Sequence, residues 1–268
     1  MTQACAEIVR RDDLRLYKTA LFAPEPARSR LMVVYAFDIE LSRATRASAE
    51  SLIPRMRLQW WRDVVEEARS GGVPKAHDVA GPLAELLNQS AFAGTADWTG
   101  LVEAHEQFLT AREDALANAQ WREHRFQYLI ALAGLALTGT ETPVPSIGPA
   151  FADAFALRHA ARMSADGQAI LLADVRGADL AGLARGDLGD AARQTVKETA
   201  ERGLGLLRAA RREPIDKRIV PALLPTLWAH RTLRLAADDP TTIFGQLDDV
   251  DRPFDGLRLA WRGLRGRW

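Results

Sequence analysis

Cysteine is nearly missing from these 268 residues: Cys5 stands alone, which excludes a disulfide framework and any zinc site built on cysteines. Charge of one sign is missing too. Lys+Arg and Asp+Glu balance at 35 each, so the chain has no global basic field and no nucleic-acid partner is expected. No apolar run reaches the length of a membrane span, the longest being Tyr128 to Thr138. The first residues, Met-Thr-Gln-Ala-Cys-Ala-Glu, lack the basic start and apolar stretch of a secretory signal, so a cytoplasmic location is expected. Lysine is scarce as well: Lys18, Lys75, Lys197 and Lys217 stand among a large excess of arginine, a bias we read as base composition.

The chemistry-bearing motifs of common enzymes are also absent. There is no Gly-x-Ser-x-Gly and no Gly-x-x-x-x-Gly-Lys, which removes a nucleophile elbow and a P-loop. The five histidines (His77, His105, His124, His159, His230) never fall four apart, and His105-Glu106 lacks the second histidine of a zinc helix. They read as surface or satisfied core residues. The acidic pairs Asp12-Asp13, Asp238-Asp239 and Asp248-Asp249 sit where helix capping explains them.

What is present is helical periodicity. Hydrophobic residues make up 47% of the chain, enough for a sizeable core. Apolar positions recur at helical spacing through Leu31, Val34, Tyr35 and Leu41, and again through Ile53, Met56, Trp60 and Val64. Strand-length runs of β-branched residues bounded by turns do not occur. Prolines and glycines predict one helix from Pro24 and Pro26 to Ala47, and a second capped by Ser51. Further helices are expected from Asp97 to Asn118, over Trp121–Leu137, and near 150–166, 187–212, 217–237 and 254–265, with a loop at Thr138–Pro149. There is no long polar linker and no internal repeat, so one all-α bundle over residues 1–268 is the expectation.

Two segments carry a resemblance. Tyr35-Ala36-Phe37, followed by Arg57-Leu58-Gln59-Trp60-Trp61-Arg62-Asp63, is similar to the squalene/phytoene synthase family. Phe22-Ala23-Pro24, the Tyr128 to Ala133-Gly134 helix, Leu223-Leu224-Pro225 and the Arg-rich closing helix agree with it. The resemblance implies an isoprenoid-synthase-like single helical bundle with a central cavity, and head-to-head joining of prenyl diphosphates.

The departures bear on that activity. Family enzymes hold Mg²⁺ with two acidic motifs, because diphosphate departure needs its developing charge neutralised. By the resemblance, the first motif falls on Ser42-Arg43-Ala44-Thr45-Arg46 and the second on Leu157-Arg158-His159-Ala160-Ala161-Arg162-Met163. Neither keeps a carboxylate, and the family's arginine beyond Tyr-Ala-Phe is Ile39. Asp174 and Asp179 do not repair the second motif, since five residues place them about 140° apart on a helix. Guanidinium groups repel a metal cluster, yet they bind phosphate or carboxylate directly. Arg43, Arg46, Arg158 and Arg162 are therefore candidates for holding an anionic or lipid head group; the plainer alternative is a solvated rim.

The resemblance extends to a subgroup without the metal motifs, which includes an assembly factor of mitochondrial respiratory complex I. It implies a non-catalytic protein acting in respiratory complex I assembly or as a membrane-associated factor, with a respiratory complex subunit or assembly protein as partner. A location at the inner membrane surface would follow. Tyr35, Glu40, Arg57, Gln59, Trp60, Trp61, Arg62 and Asp63 are the candidate family-motif residues. Glu40 is a candidate ion-pair partner for Arg57 or Arg62, and the two tryptophans are equally explained by core packing. Two alternatives stay open: a divergent prenyl synthase binding Mg²⁺ through Asp38, Glu40, Asp63 and Asp174, or an isoprenoid or anionic-lipid carrier. No cofactor is expected unless the first holds. Asp38 and Glu40 point about 160° apart on a helix, which opposes joint metal binding. Finally, Asp255–Trp268 alternates arginines with Leu257, Leu259, Trp261 and Leu264. It reads either as a membrane-surface helix or as a last helix docked on the bundle, with Gly263 and Gly266 favouring a frayed tail.

Overall fold

In the computed structural model, the described residues are 2–47, 52–73, 75–89, 97–110, 115–165, 185–245 and 253–268, together with Phe92, Gly182 and Leu247. Among them the secondary structure is helical throughout, in the order α1 (Thr2–Asp12), α2 (Leu14–Ala20), α3 (Ala27–Thr45), α4 (Leu52–Arg69), α5 (Ala80–Leu87) and α6 (Trp98–Thr110). There follow α7 (Ala115–Thr138), α8 (Gly148–Ala165), α9 (Asp190–Ala210), α10 (Val220–Leu223), α11 (Thr226–Asp238) and α12 (Asp255–Leu264).

The helix α3 is apolar around most of its circumference, so only a position with neighbours on every side satisfies it. It packs against α1, α4, α6 and α7. The second half is a chain of contacts from α7 to α8, from α8 to α9, and from α9 to α11. One buried cluster runs through both halves, from Cys5 and Val9 through Phe37, Trp98 and Leu132 to Leu233 and Leu247. The Cys5 thiol lies within it, its pKa pushed up to about 12 by burial.

Local chemistry explains most boundaries. Asp13 accepts backbone N–H bonds from Arg15 (3.0 Å) and Leu16 (2.9 Å), breaking the chain between α1 and α2 and capping the latter. Asp97 caps α6 through the N–H of Gly100 at 2.7 Å, as its position predicts. Small residues set the approach of helices. A Cβ on Gly100 would sit 2.7 Å from the Tyr128 ring, and one on Gly134 would sit 2.9 Å from Val144. Thus Tyr128 and Gly134 fix how α7 meets its neighbours.

Several expectations need correction. The helix predicted over 217–237 is three pieces, a 3₁₀ turn (Lys217–Ile219), α10 and α11, because Leu224-Pro225 interrupts the backbone ladder. The first expected helix begins at Ala27, after Pro24 and Pro26 rather than on them. The residues 111–114, Ser51, Asp174, Asp179 and Asp248-Asp249 lie outside the described residues. Nor does the last helix fray at its glycines. Gly263 lets the Phe22 ring approach to where a Cβ would be 2.8 Å away, and Gly266, at φ 59°, ends the helix with Arg267 N–H bonded to the Arg262 carbonyl at 2.9 Å.

Candidate functional site

A cavity of about 640 Å³ lies between the two halves. Its walls come from the α1–α2 corner, α3, α7, α8 and the α10–α11 turn. One end is apolar, formed by Leu129, Ile130, Ala133, Phe151, Ala222 and Ala229. The other is ionic. Five arginines line it (Arg15, Arg43, Arg46, Arg125, Arg158) against three aspartates (Asp12, Asp13, Asp38).

Each aspartate is engaged. Asp38, 2% exposed, takes Arg125 Nε at 3.0 Å and Nη2 at 2.7 Å, and also the Nε2 of His105 at 3.0 Å. Arg125 Nη2 bonds Ser42 Oγ at 3.0 Å as well. Burial alone would raise the Asp38 carboxyl, but Arg125 and the His105 bond outweigh it and hold the group well below the usual carboxylate range. For His105 burial dominates, and its pKa is pushed down to about 4, so the imidazole is neutral at pH 7 and donates from Nε2 to Asp38. Asp12 pairs with Arg43, which pairs also with Glu40. Asp13 is taken up by its cap.

This donor set does not fit magnesium. Across Ser42–Arg46 the side chains facing the cavity are Ser42, Arg43 and Arg46, and the carboxylates opposite already answer arginine or backbone N–H. Among the described residues no three His, Cys, Asp or Glu side chains are grouped to hold a metal ion. A cation there would have to displace guanidinium groups from buried carboxylates.

The sequence-derived candidates are divided by the fold. Arg43, Arg46 and Arg158 line the cavity, joined by Tyr35, whose buried hydroxyl has a raised pKa because burial disfavours the phenolate. The side chain of Arg162 lies outside the described residues. Asp38 and Glu40 face different spaces, as their helical spacing requires. Glu40 lines a smaller cavity of about 350 Å³ with Arg43, Arg57, Trp60, Trp61 and His77. Arg43 borders both cavities.

The expected pairing of Glu40 is corrected. Its ion-pair partner is Arg43, one turn on, while Arg62 reaches across to Glu103 (3.1 Å) and Glu106 (2.6 Å) on α6. Arg57 is exposed at the second cavity's edge. Gln59 donates to Asp63 at 2.8 Å on the surface of α4, away from both cavities. The tryptophans pack: Trp61 is buried edge-on to Phe37 at 5.5 Å and to Trp60 at 4.8 Å, and Lys75 lies over the Trp60 ring at 5.5 Å. Sequence reasoning missed Arg125 and Arg15 and did not pair His105 with Asp38. These partners stand 87 and 67 residues from Asp38 in the cases of Arg125 and His105, and nothing local marks them.

Residues 9–124, which carry α2 to α6 and the Tyr35 and Trp60-Trp61 segments, match the squalene/phytoene synthase family. That match takes in less than half of the chain, and over it the chain is similar to this family. Its whole fold is shared with two solved synthases. A dehydrosqualene synthase crystallised with a ligand superposes with a TM-score of 0.77 over 98% of this chain and 95% of that one, at 12% identity. The squalene synthase HpnC from Alicyclobacillus acidocaldarius does so with a TM-score of 0.60 over 99% and 94%, at 16% identity. At such identities the likeness establishes the fold, that of the isoprenoid synthases, and no more. Two curated relatives are similar over shorter stretches, both described as NADH dehydrogenase (ubiquinone) complex I, assembly factor 6. The Homo sapiens protein is 33% identical over 63 residues, 24% of this chain and 19% of its own length. The Bos taurus protein is 31% identical over 70 residues, 26% and 21% respectively. The similarity thus spans about a fifth of those relatives.

Proposed function

We propose that this squalene/phytoene synthase-like protein is non-catalytic and serves the assembly of a respiratory NADH dehydrogenase complex. The observation carrying the first part is the charge reversal at the cavity: Arg43 and Arg46 stand on the turn of α3 where the resemblance puts magnesium-binding aspartates. The remaining carboxylates, Asp12, Asp13 and Asp38, are committed to structural bonds. Diphosphate ionisation without a metal leaves the developing charge to arginines, of which Arg43 and Arg125 are already paired with acids. Purified protein given farnesyl or geranylgeranyl diphosphate with Mg²⁺ is expected to release no diphosphate; sustained release overturns this part. The second part draws on the similarity to the two assembly factors. Its test is a pull-down from the native host in mild detergent, where NADH dehydrogenase subunits should be enriched over a mock. Their absence overturns the assembly role.

A second reading has its own observation. Five arginines against three aspartates, set at one end of an apolar cavity, suit a single-chain amphiphile with an anionic head. An isoprenoid or lipid retained in the cavity is compatible with assembly work and replaces turnover. Native mass spectrometry of gently purified protein should then show a bound mass of a few hundred daltons, removable by solvent extraction. An empty species alone removes this reading.

A further inference from the structure

The helix α12 presents two faces of opposite character. Inward, Leu259 is buried against Val220, Leu224, Leu227 and Trp228, and Asp255 forms a two-point ion pair with Arg231 at 2.6 and 2.7 Å. Outward, Phe254, Leu257, Trp261 and Leu264 are 73%, 68%, 59% and 85% exposed. Their spacing of three, four and three residues draws one stripe along the helix. Scattered apolar residues on a surface need no explanation, but a continuous stripe of four large ones does.

The stripe is framed by cations. Arg258, Arg265 and Arg267 are exposed beside it, and Arg265 lies over the Trp261 ring at 3.5 Å. The helix holds one acid, Asp255, and that is turned inward to Arg231, with Arg258 at 3.9 Å. Among the described residues of this helix, then, no acid faces outward. At its start Phe254 adopts φ 75°, a left-handed backbone that a bulky side chain rarely accepts. That conformation keeps the phenyl ring in solvent, where it extends the stripe. The end of α2 lies beside this helix, with the Phe22 ring packed against Gly263.

We propose that the outer face of α12 docks on the surface of an anionic lipid bilayer, with Phe254, Leu257, Trp261 and Leu264 entering the acyl boundary and Arg258, Arg265 and Arg267 at the phosphates. The charge complementarity decides the occupant: an apolar stripe with arginines along it and, among the described residues of the helix, no outward acid is the pattern of an interfacial helix. None of the described helices is long and apolar enough to cross a membrane, so the contact is peripheral. Because α2 also supplies Leu14, Arg15 and Leu16 to the cavity wall, docking brings the cavity beside the lipid surface. The inference is independent of whether the cavity turns over a substrate.

Co-sedimentation of the full chain with vesicles tests it. Wild-type protein should pellet with vesicles of equal parts phosphatidylglycerol and phosphatidylcholine, pellet weakly with phosphatidylcholine alone, and be released by salt. The L257S/W261S/L264S variant alters only exposed side chains, so its thermal melt should match wild type while its binding falls at least about tenfold. The R258E/R265E variant should lose the preference for the anionic vesicles. Wild-type protein left in the supernatant with both vesicles overturns the proposal, as does stripe-variant binding equal to wild type. Loss of a protein partner by the stripe variant, with wild type indifferent to vesicles, also overturns it and makes the face a protein interface.

Discussion

The guanidinium of Arg125 on α7 meets the carboxylate of Asp38 on α3 in a two-point contact, at 3.0 and 2.7 Å, inside the bundle. It joins two helices of the cavity wall, and His105 of α6 closes the arrangement on the third side. Removing one member of such a buried pair leaves the other charged and unsolvated. Asp38→Asn is expected to lower unfolding stability by about 3 kcal/mol, read by urea denaturation. The double change Asp38→Leu with Arg125→Met should recover much of the loss; a silent Asp38→Asn would show that the pair contributes nothing.

His105 makes stability depend on pH. Burial depresses its folded pKa to about 4, whereas the unfolded chain titrates near 6.5. Between these values the unfolded state binds a proton that the folded state refuses, so stability is complete above about pH 6.5 and falls as the pH drops toward 4. His230, also lowered by burial, acts in the same direction. The loss assigned to His105 should be on the order of 2 kcal/mol across that window. His105→Gln should flatten the urea midpoint against pH; an unchanged slope would place the effect elsewhere.

Arg231 holds the last helix from beneath. Arg231→Met leaves Asp255 buried without its two-point partner and should cost about 3 kcal/mol, concentrated at α12. Limited trypsin digestion should then cut within 258–267 well before the rest of the bundle. Cutting at the wild-type rate would mean that the apolar contact of Leu259 suffices.

Gly100 should tolerate no methyl group. The Cβ of alanine would stand 2.7 Å from the Tyr128 ring and 2.5 Å from Asp97 Oδ2, so the ring and the cap of α6 must both shift. Alanine gains roughly 1 kcal/mol of helix propensity, and overpacking is expected to exceed it by about 1–2 kcal/mol. Thermal melts of Gly100→Ala alone and with Tyr128→Ala measure this: the second change should relieve the first.

How much was readable before folding differs between helices and site. The periodicity of Leu31 to Leu41 marks α3 and its buried residues, whereas the stripe Ile53, Met56, Trp60 and Val64 marks α4 but not its inner face: Ile53 and Met56 are exposed, and Pro54, Leu58, Trp61, Val64, Val65 and Ala68 are buried. The helix α1 is not among the expected helices although Cys5, Ile8 and Val9 are buried along it, and α11 is merged with its neighbours in the helix expected over 217–237 because apolar residues continue straight through Leu223-Leu224-Pro225. Arg43 and Arg46 were located by register from Tyr35, a distance that a single helix preserves. Partners were another matter. Glu40 has Arg43 within its own helix and Arg57 and Arg62 on the next, and only the rotation of α4 sends Arg62 to Glu103 and Glu106 instead. Asp38 likewise finds its partners, Arg125 and His105, on helices whose placement no local pattern specifies.

The clasp between Asp12 and Arg43 fastens the tail of the first helix to the last turn of the third, on the rim of the larger cavity. Any anionic guest that claims this arginine must take the place of Asp12 or of Glu40, since the guanidinium edges facing them are already spent. Occupancy is thereby tied to the tightness of the amino-terminal corner: filling the chamber from its charged end loosens a strap at its mouth, and emptying it draws the strap closed.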